Sequence, residues 1–343
     1  KASWTPCWTA GRARSVHRLP VRPRTHIPNA SRETRIMRLV FMGTHEFAVP
    51  SLNALVDAGY TPVAVATGPD RPRGRGQQMT PTPVKQAAQE AGIDTILQPE
   101  AVKDPQFAED VAALEPDVIA VVAFKILPPA VFTTAEQGAF NLHGSLLPRY
   151  RGAAPINRAV MDGATETGVT TFFLKEKVDT GDVILKKRMP IGPNETAGEV
   201  HDRMMHLGAE AVVETVQQID AGTVTTTPQD DAKATPAPKI HTEDCEIPWD
   251  KPAGHVHNHI RGLSPYPGAW TMHDGTRLKI YRSRRVNGSG APGAVLAAAD
   301  RLVIACGEGA VEIDTIQQPG RQRMEAAAFL NGYDLHAGDH LGA

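Results

Sequence analysis

From Met37 onward, apolar and polar positions fall into blocks of two different periods. Arg38-Leu-Val-Phe-Met42 is a short apolar run closed by Gly43, after which Phe47, Leu52, Leu55 and Val56 recur at helical spacing as far as Gly59. The pattern predicts a strand, a turn and a helix. Further strands are predicted over 62–67, 95–97, 117–123 and 138–143, with helices over 83–91 and 105–114. Strands alternating with helices imply a parallel sheet wrapped by helices. Val118-Ile-Ala-Val-Val-Ala123 is apolar without a period of two, as a central strand buried on both faces requires.

Beyond Gly168 the pattern predicts two strands, 169–174 and 183–189, about the turn Asp179-Thr-Gly-Asp182, and then a long helix over 197–221. Residues 223–241 are rich in Thr, Pro, Asp and Ala and poor in large apolar side chains, a composition that builds no core. A domain boundary is placed there, giving domains over 37–222 and 242–343 with 223–241 as linker. In the second domain a helix over 249–263 precedes short strands at 269–272, 277–282, 293–298, 302–305 and 310–315, the signature of a small barrel.

A length of 343 residues accommodates two domains. With 41 % hydrophobic and 22 % charged residues the chain is a folded, soluble protein. Its longest apolar stretch, 117–127, is broken well short of a membrane span. Cys7, Cys245 and Cys306 are too far apart for a disulfide framework or a metal knuckle, which points to a reducing, cytoplasmic setting. Charge is divided unevenly. Residues 1–36 carry 8 Lys or Arg and the single acid Glu33, leaving 28 basic and 37 acidic side chains in the rest, so +7 stands against −9. The leader has the composition of an organelle transit peptide, but it lacks an initiating Met and contains Pro20, Pro23 and Pro28. It is read as a basic extension outside the fold, from a mis-called start or a vector.

Six segments bear on chemistry. Gly43-Thr-His-Glu-Phe-Ala48 sits where a dinucleotide fingerprint would, yet Gly-x-Gly-x-x-Gly is absent, which withdraws support from a nicotinamide enzyme. Phe140-Asn-Leu-His-Gly-Ser-Leu-Leu-Pro-Arg-Tyr-Arg-Gly152 puts Asn141 and His143 on one face at the carboxyl end of a strand, where open parallel sheets bind ligands. An amide donor beside an imidazole suits a developing oxyanion, although such a pair can also serve only to anchor a loop. The turn ending in Pro148 then presents Arg149 and Arg151. Asp179, at a Gly turn, could orient His143 or accept a proton, or simply form the turn. Arg71, Arg73 and Arg75, at alternate positions in a loop, suit phosphates or a solvated surface equally. Lys279-Ile-Tyr-Arg-Ser-Arg-Arg285 adds four positive charges to the second domain, favouring nucleic acid over membrane. His255-Val-His-Asn-His259 could offer two zinc ligands but lacks a third and fourth, and reads as a polar helix face.

Together, Met37-Arg-Leu-Val-Phe-Met-Gly-Thr with Phe47-Ala48, Pro69-Asp-Arg-Pro-Arg-Gly-Arg-Gly76, Asn141 to Ile156, Val178-Asp-Thr-Gly-Asp182, Ile260-Arg-Gly-Leu-Ser-Pro-Tyr-Pro-Gly-Ala-Trp270 and Phe329-Leu-Asn-Gly332 resemble the methionyl-tRNA formyltransferase family. The resemblance implies an α/β, Rossmann-like, doubly wound formyltransferase domain followed by a small OB-type β-barrel. It implies transfer of the formyl group of 10-formyltetrahydrofolate to the methionine amine of initiator methionyl-tRNA, with neither metal nor ATP, by a monomer. Asn141, His143 and Asp179 become the catalytic set, with Asn141 and His143 donating to the oxyanion. Phe124, Lys125, Ile126 and Leu127, Ser145, Leu146, Leu147 and Pro148, and Lys177 with the rest of the 175–179 loop, become the folate contacts. Phe47, Arg149, Arg151 and Gly152 would face the aminoacyl end, and Arg71, Arg73, Arg75, Lys279, Arg282, Arg284 and Arg285 the tRNA. Two departures from the family pattern are His45, where acidic or other polar residues are commoner, and Phe124-Lys-Ile, one residue shorter than an aromatic-Gly-x-Ile run. The competing readings are a formyltransferase for a small amine, such as an amino-sugar nucleotide, and a non-catalytic RNA-binding protein.

Overall fold

The computed structural model describes residues 37–73 and 78–342; the basic extension 1–36 and Arg75 lie outside the described residues, as does the side chain of Arg73. The first half contains β1 (Leu39–Gly43), α1 (Val49–Asp57), β2 (Ala64–Ala66), β3 (Arg71–Arg73), β4 (Gln78–Thr80), α2 (Pro83–Glu90), β5 (Ile96–Leu97), α3 (Pro105–Ala113), β6 (Val118–Val122), α4 (Pro129–Phe132), β7 (Ala139–His143), α5 (Pro155–Met161), β8 (Glu166–Phe173), β9 (Val183–Pro190) and α6 (Ala197–Asp220). Seven strands form one sheet in the order β5-β2-β1-β6-β7-β8-β9. From β5 to β7 the pairing is parallel. At β7 it changes: β8 runs antiparallel to β7, and β9 antiparallel to β8. The alternating strands thus form the expected parallel set, and the two strands about the 179–182 turn add an antiparallel edge to it. A short Gly-containing connection between β8 and β9 can join only antiparallel neighbours, since a parallel pair needs a long crossover.

The apolar runs are buried as their pattern predicts. β1 sends Leu39 and Phe41 into a core shared with Leu52, Leu55 and Met204, and Val40 and Met42 into a second core with Phe107 and Val131. The sheet is thus covered on both faces. α6 opens with a reciprocal cap, in which Thr196 Oγ1 accepts from Glu199 N and the Glu199 carboxylate accepts from Thr196 N at 2.8 Å.

The second half contains α7 (Ala253–Gly262), β10 (Ala269–His273), β11 (Thr276–Val286), β12 (Val295–Ala298), β13 (Leu302–Ala305), β14 (Ala310–Gln317), β15 (Met324–Glu325) and α8 (Ala326–Leu330). Its sheet is antiparallel and curled, in the order β10-β11-β14-β13-β12 with β15 added to β14. The edge strands β10 and β12 do not pair directly. Instead Val295 N donates to Asp339 O at 2.9 Å, Leu341 N to Gly293 O at 2.8 Å and Gly342 N to Met272 O at 2.8 Å, so the final residues span the gap. Both edges acquire partners this way, which removes the exposed ladder groups of an open sheet.

The His255–His259 run departs from its expected role. His255 is exposed, but His257 and His259 are buried. His257 Nε2 donates to Pro193 O at 3.1 Å, and the neighbouring Arg261 donates to Gly192 O and Glu195 O, so α7 locks onto the segment ahead of α6. The Nε2 of His259 has no hydrogen-bond partner, and burial pushes its pKa down to about 4. An unfolded chain protonates this histidine near pH 6.5 while the folded one resists until about pH 4, so the unfolded state binds more protons in between. Stability should fall as pH drops through that window, by about 3 kcal/mol from this group. Calorimetric unfolding of the protein and of His259→Phe across pH 7 to 4 checks it, the variant showing a shallower pH slope; an unchanged slope would assign the titration elsewhere.

Candidate active site

β7 ends in Asn141 and His143, which its pleat directs to the same face. Above them lies a cleft of about 620 Å³, within the size range of small-molecule sites. Phe124, Lys125, Ile126 and Leu127 line one wall, Leu174, Lys175, Val178 and Asp179 another, and Phe47 and Gly152 complete the rim.

Asn141 is half buried, and its Nδ2 donates to Val121 O at 3.1 Å. The amide carries two N–H groups, so one remains to face the cleft. His143 is buried, with Nε2 2.8 Å from Tyr150 O. A carbonyl only accepts, so Nε2 bears the hydrogen and Nδ1 faces Asp179, whose Oδ2 is 3.8 Å away. The same Oδ2 accepts from Gly152 N at 2.9 Å. Asp179 has φ 56, and Tyr150 and Ala123, at φ 59 and 49, are also left-handed, so strained backbone surrounds the reactive face. An amide donor, an imidazole and a carboxylate thus converge beneath an apolar recess. Such a set can hold negative charge on an attacked carbonyl oxygen and take a proton from the attacking group.

Other anticipated residues stand elsewhere. Ser145, Leu146, Leu147 and Pro148 do not line the cleft; they form a turn in which Ser145 Oγ donates to Arg149 O at 2.6 Å, Leu147 N donates to Thr170 Oγ1 at 3.1 Å and Leu147 O accepts from Lys186. The run of small and apolar residues there serves to fix the loop after β7. Lys177 is exposed and outside the lining, between Glu176 and Val178, which belong to it. Arg149 is exposed, its guanidinium 5.3 Å from the centre of the Tyr150 ring. Arg151 turns away from the cleft to Gln229 and to Asp231, 2.7 Å distant. Phe47 remains in the lining, with its ring 5.2 Å from that of His201.

Sequence reasoning passed over Phe132, Phe172, Leu174 and His201, which also line the cleft. Nothing in their local sequence marks them, because Phe132 lies in α4, Phe172 in β8 with Leu174 just after it, and His201 in α6, and only folding gathers them. The 223–241 segment makes contacts that its composition does not announce. Ala237 is fully buried, Tyr150 N donates to Thr235 Oγ1, and Arg151 N to Thr235 O, both at 2.8 Å, so the segment lies hydrogen-bonded along the catalytic loop. Its polar composition supplies backbone partners in place of apolar area.

The basic residues occupy two regions. Arg71 and Arg73 belong to β3, which forms a hairpin with β4 where a loop was anticipated, and Arg71 is exposed, 3.6 Å from Glu100. On β11, Arg282 pairs with Glu199, Arg284 with Glu312 and Asp314, and Lys279 donates to Pro267 O at 2.9 Å, whereas Arg285 makes no ion pair among the described residues. No group of three or more His, Cys, Asp or Glu among the described residues is disposed to hold a metal ion.

The family model described as formyl transferase matches residues 37–216, and that described as formyl transferase, C-terminal domain, matches 239–334. A methionyl-tRNA formyltransferase of Moorella thermoacetica is 48 % identical over 310 residues, covering 89 % of this chain and 99 % of that protein. The chain belongs to the methionyl-tRNA formyltransferase family. A second member, from Citrifermentans bemidjiense, is 46 % identical over 89 % of this chain and 96 % of its own. The fold extends to more distant proteins: an N-formyltransferase from Helicobacter canadensis, solved with folinic acid and dTDP-3-aminofucose, superposes with a TM-score of 0.63 at 20 % identity, covering 82 % of this chain and 99 % of that one.

For this formyltransferase-family chain the tightest glycine lining the cleft is Gly152, at φ 127, where a Cβ would sit 2.5 Å from Ala237 O. Gly152→Ala should push the 235–237 segment off the loop and break the bond from Gly152 N to Asp179. A destabilisation of roughly 1–3 kcal/mol is expected from the backbone conformation alone. Urea unfolding measures it, and an unshifted midpoint would show that the loop gives way without cost.

Proposed function

We propose that the protein transfers the formyl group of 10-formyltetrahydrofolate to the α-amino group of the methionine carried by initiator tRNA. The observation that carries this reading is the meeting of Asn141, His143 and Asp179 beneath a cleft, in a chain nearly half identical along almost its whole folded length to proteins named methionyl-tRNA formyltransferase. The apolar wall of Phe124, Ile126, Leu127 and Leu174 suits a flat pterin ring. Folinic acid in the Helicobacter canadensis N-formyltransferase supports a folate donor for a fold of this kind.

In the reaction the amine nitrogen attacks the formyl carbon, the bond from that carbon to N10 of the folate breaks, and the amine proton is lost while N10 gains one. Negative charge grows on the formyl oxygen during the attack, and the free N–H of Asn141 is placed to donate to it. His143 is held by Tyr150 O with Nδ1 toward Asp179, so a proton arriving at Nδ1 creates a cation that the carboxylate stabilises. Asp179 receives the amine proton directly or through that ring. Because the oxyanion exists only beyond the ground state, loss of its donor reduces turnover rather than affinity.

The arginines at alternate positions of the 71–75 sequence support an RNA-borne acceptor, since a small amine has little use for such a basic cluster. On β11, Arg282 and Arg284 are roughly half exposed, and exposed ion pairs are worth only about 0–1 kcal/mol. They can therefore exchange their carboxylate partners for phosphates at little cost, with Arg285, which follows on the other face of the strand, adding charge nearby.

Transfer of a labelled formyl group to methionyl initiator tRNA, beside free methionine and an amino-sugar nucleotide, tests the proposal. Asn141→Ala should lower kcat by about a hundredfold to a thousandfold with KM little changed; formylation of the small amine alone would replace the substrate assignment. Arg73→Ala should reduce the slope of log affinity for tRNA against log salt by about 1 and leave folate binding intact. An unaltered slope would remove the hairpin from the tRNA interface.

A further inference from the structure

Asp179 must hold its carboxylate toward His143 from a backbone conformation that non-glycine residues rarely keep, and it lies in neither a helix nor a strand. Its support comes from 50 residues further along the chain: Gln229 Nε2 donates to Asp179 O at 3.0 Å and to Gly181 O at 2.8 Å. The orientation of that amide is set in turn by Arg151, whose Nε and Nη2 donate to Gln229 Oε1 at 3.1 and 2.8 Å. With both donors and the oxygen engaged, the Gln229 side chain has one arrangement that satisfies all its partners.

The surroundings fix where Gln229 sits. Thr227 and Val183 exchange backbone hydrogen bonds of 2.8 Å at the start of β9, while Thr235 and Ala237 pair with Tyr150 and Arg151. The segment is therefore held at both ends, with Gln229 between the loop that carries Asp179 and the loop that carries Gly152. Arg151 acts here as a clamp on the segment.

We infer that Gln229, oriented by Arg151, is a positioning residue that holds the Asp179 loop in register with His143. The linker is thereby a working part of the catalytic centre. This rests on the formyl-transfer reading for its kinetic consequences but not for its structural ones. Misplacing a reacting group by about 1 Å can cost on the order of a hundredfold in rate.

Two variants separate positioning from mere packing. Gln229→Glu keeps an oxygen for Arg151 but turns a second oxygen toward two carbonyls, and Gln229→Met keeps the volume with no hydrogen bonds. Both should lower kcat for methionyl-tRNA by between about tenfold and a hundredfold, with KM for tRNA and folate within about twofold and the unfolding midpoint nearly unmoved. Trypsin should also cut faster after exposed Lys177 in both. Wild-type kcat in Gln229→Glu, or a loss of kcat that only follows a lowered midpoint, would overturn the inference. If the unaltered protein formylates no tRNA, the functional reading fails by itself, and the trypsin comparison still decides the brace.

Discussion

The change of strand direction at β7 is the constraint on which the site depends. β7 is the last strand of the parallel set, and its other neighbour runs the opposite way. Ligand clefts in open α/β sheets form beyond the carboxyl ends of strands where the connections diverge. Here Asn141 and His143 occupy that end, and the chain on either side of them is free to become a catalytic loop instead of a covering helix. A rigid strand gives the two side chains a fixed separation and a common face, which no flexible loop could guarantee.

The third member of the set is held by a different principle. Asp179 is placed by hydrogen bonds from other loops, through Gly152 N on its carboxylate and Gln229 on its backbone carbonyl. Strain at Asp179 is tolerated because these contacts over-determine its conformation. The segment after α6 thus serves two ends: it connects the two sheets, and it closes the frame of the first. Polar residues suit that work, since a strap lying on a loop needs donors and acceptors more than it needs apolar area.

The two halves are also joined by side chains. His257 and Arg261 of α7 bond to backbone carbonyls of 192–195, and Arg282 of β11 pairs with Glu199 in the first turn of α6. Glu199 caps α6 as well, so one carboxylate both terminates a helix and ties it to the second sheet. The basic strand β11 is consequently set beside the start of α6, which also supplies His201 to the catalytic cleft.

Much of this was readable in the chain. The apolar runs of β1 and β6 lie buried on both faces as their lack of a two-residue period required, and the Asn141–His143 spacing alone put both groups on one face, because a strand's geometry is local. The hairpin of β8 and β9 followed from the Gly turn between them for the same reason. What the sequence could not express was any relation resting on contact between distant segments. Ser145 to Pro148 sit outside the cleft lining in a hydrogen-bonded turn, Arg151 binds Gln229, and His257 and His259, expected on a polar face, are buried. Each of these outcomes depends on which group a side chain meets after folding, and neither residue type nor spacing specifies that. The common face of Asn141 and His143 was therefore determined by sequence, while their orientation toward Asp179, and the strap that secures it, were decided only by the tertiary structure.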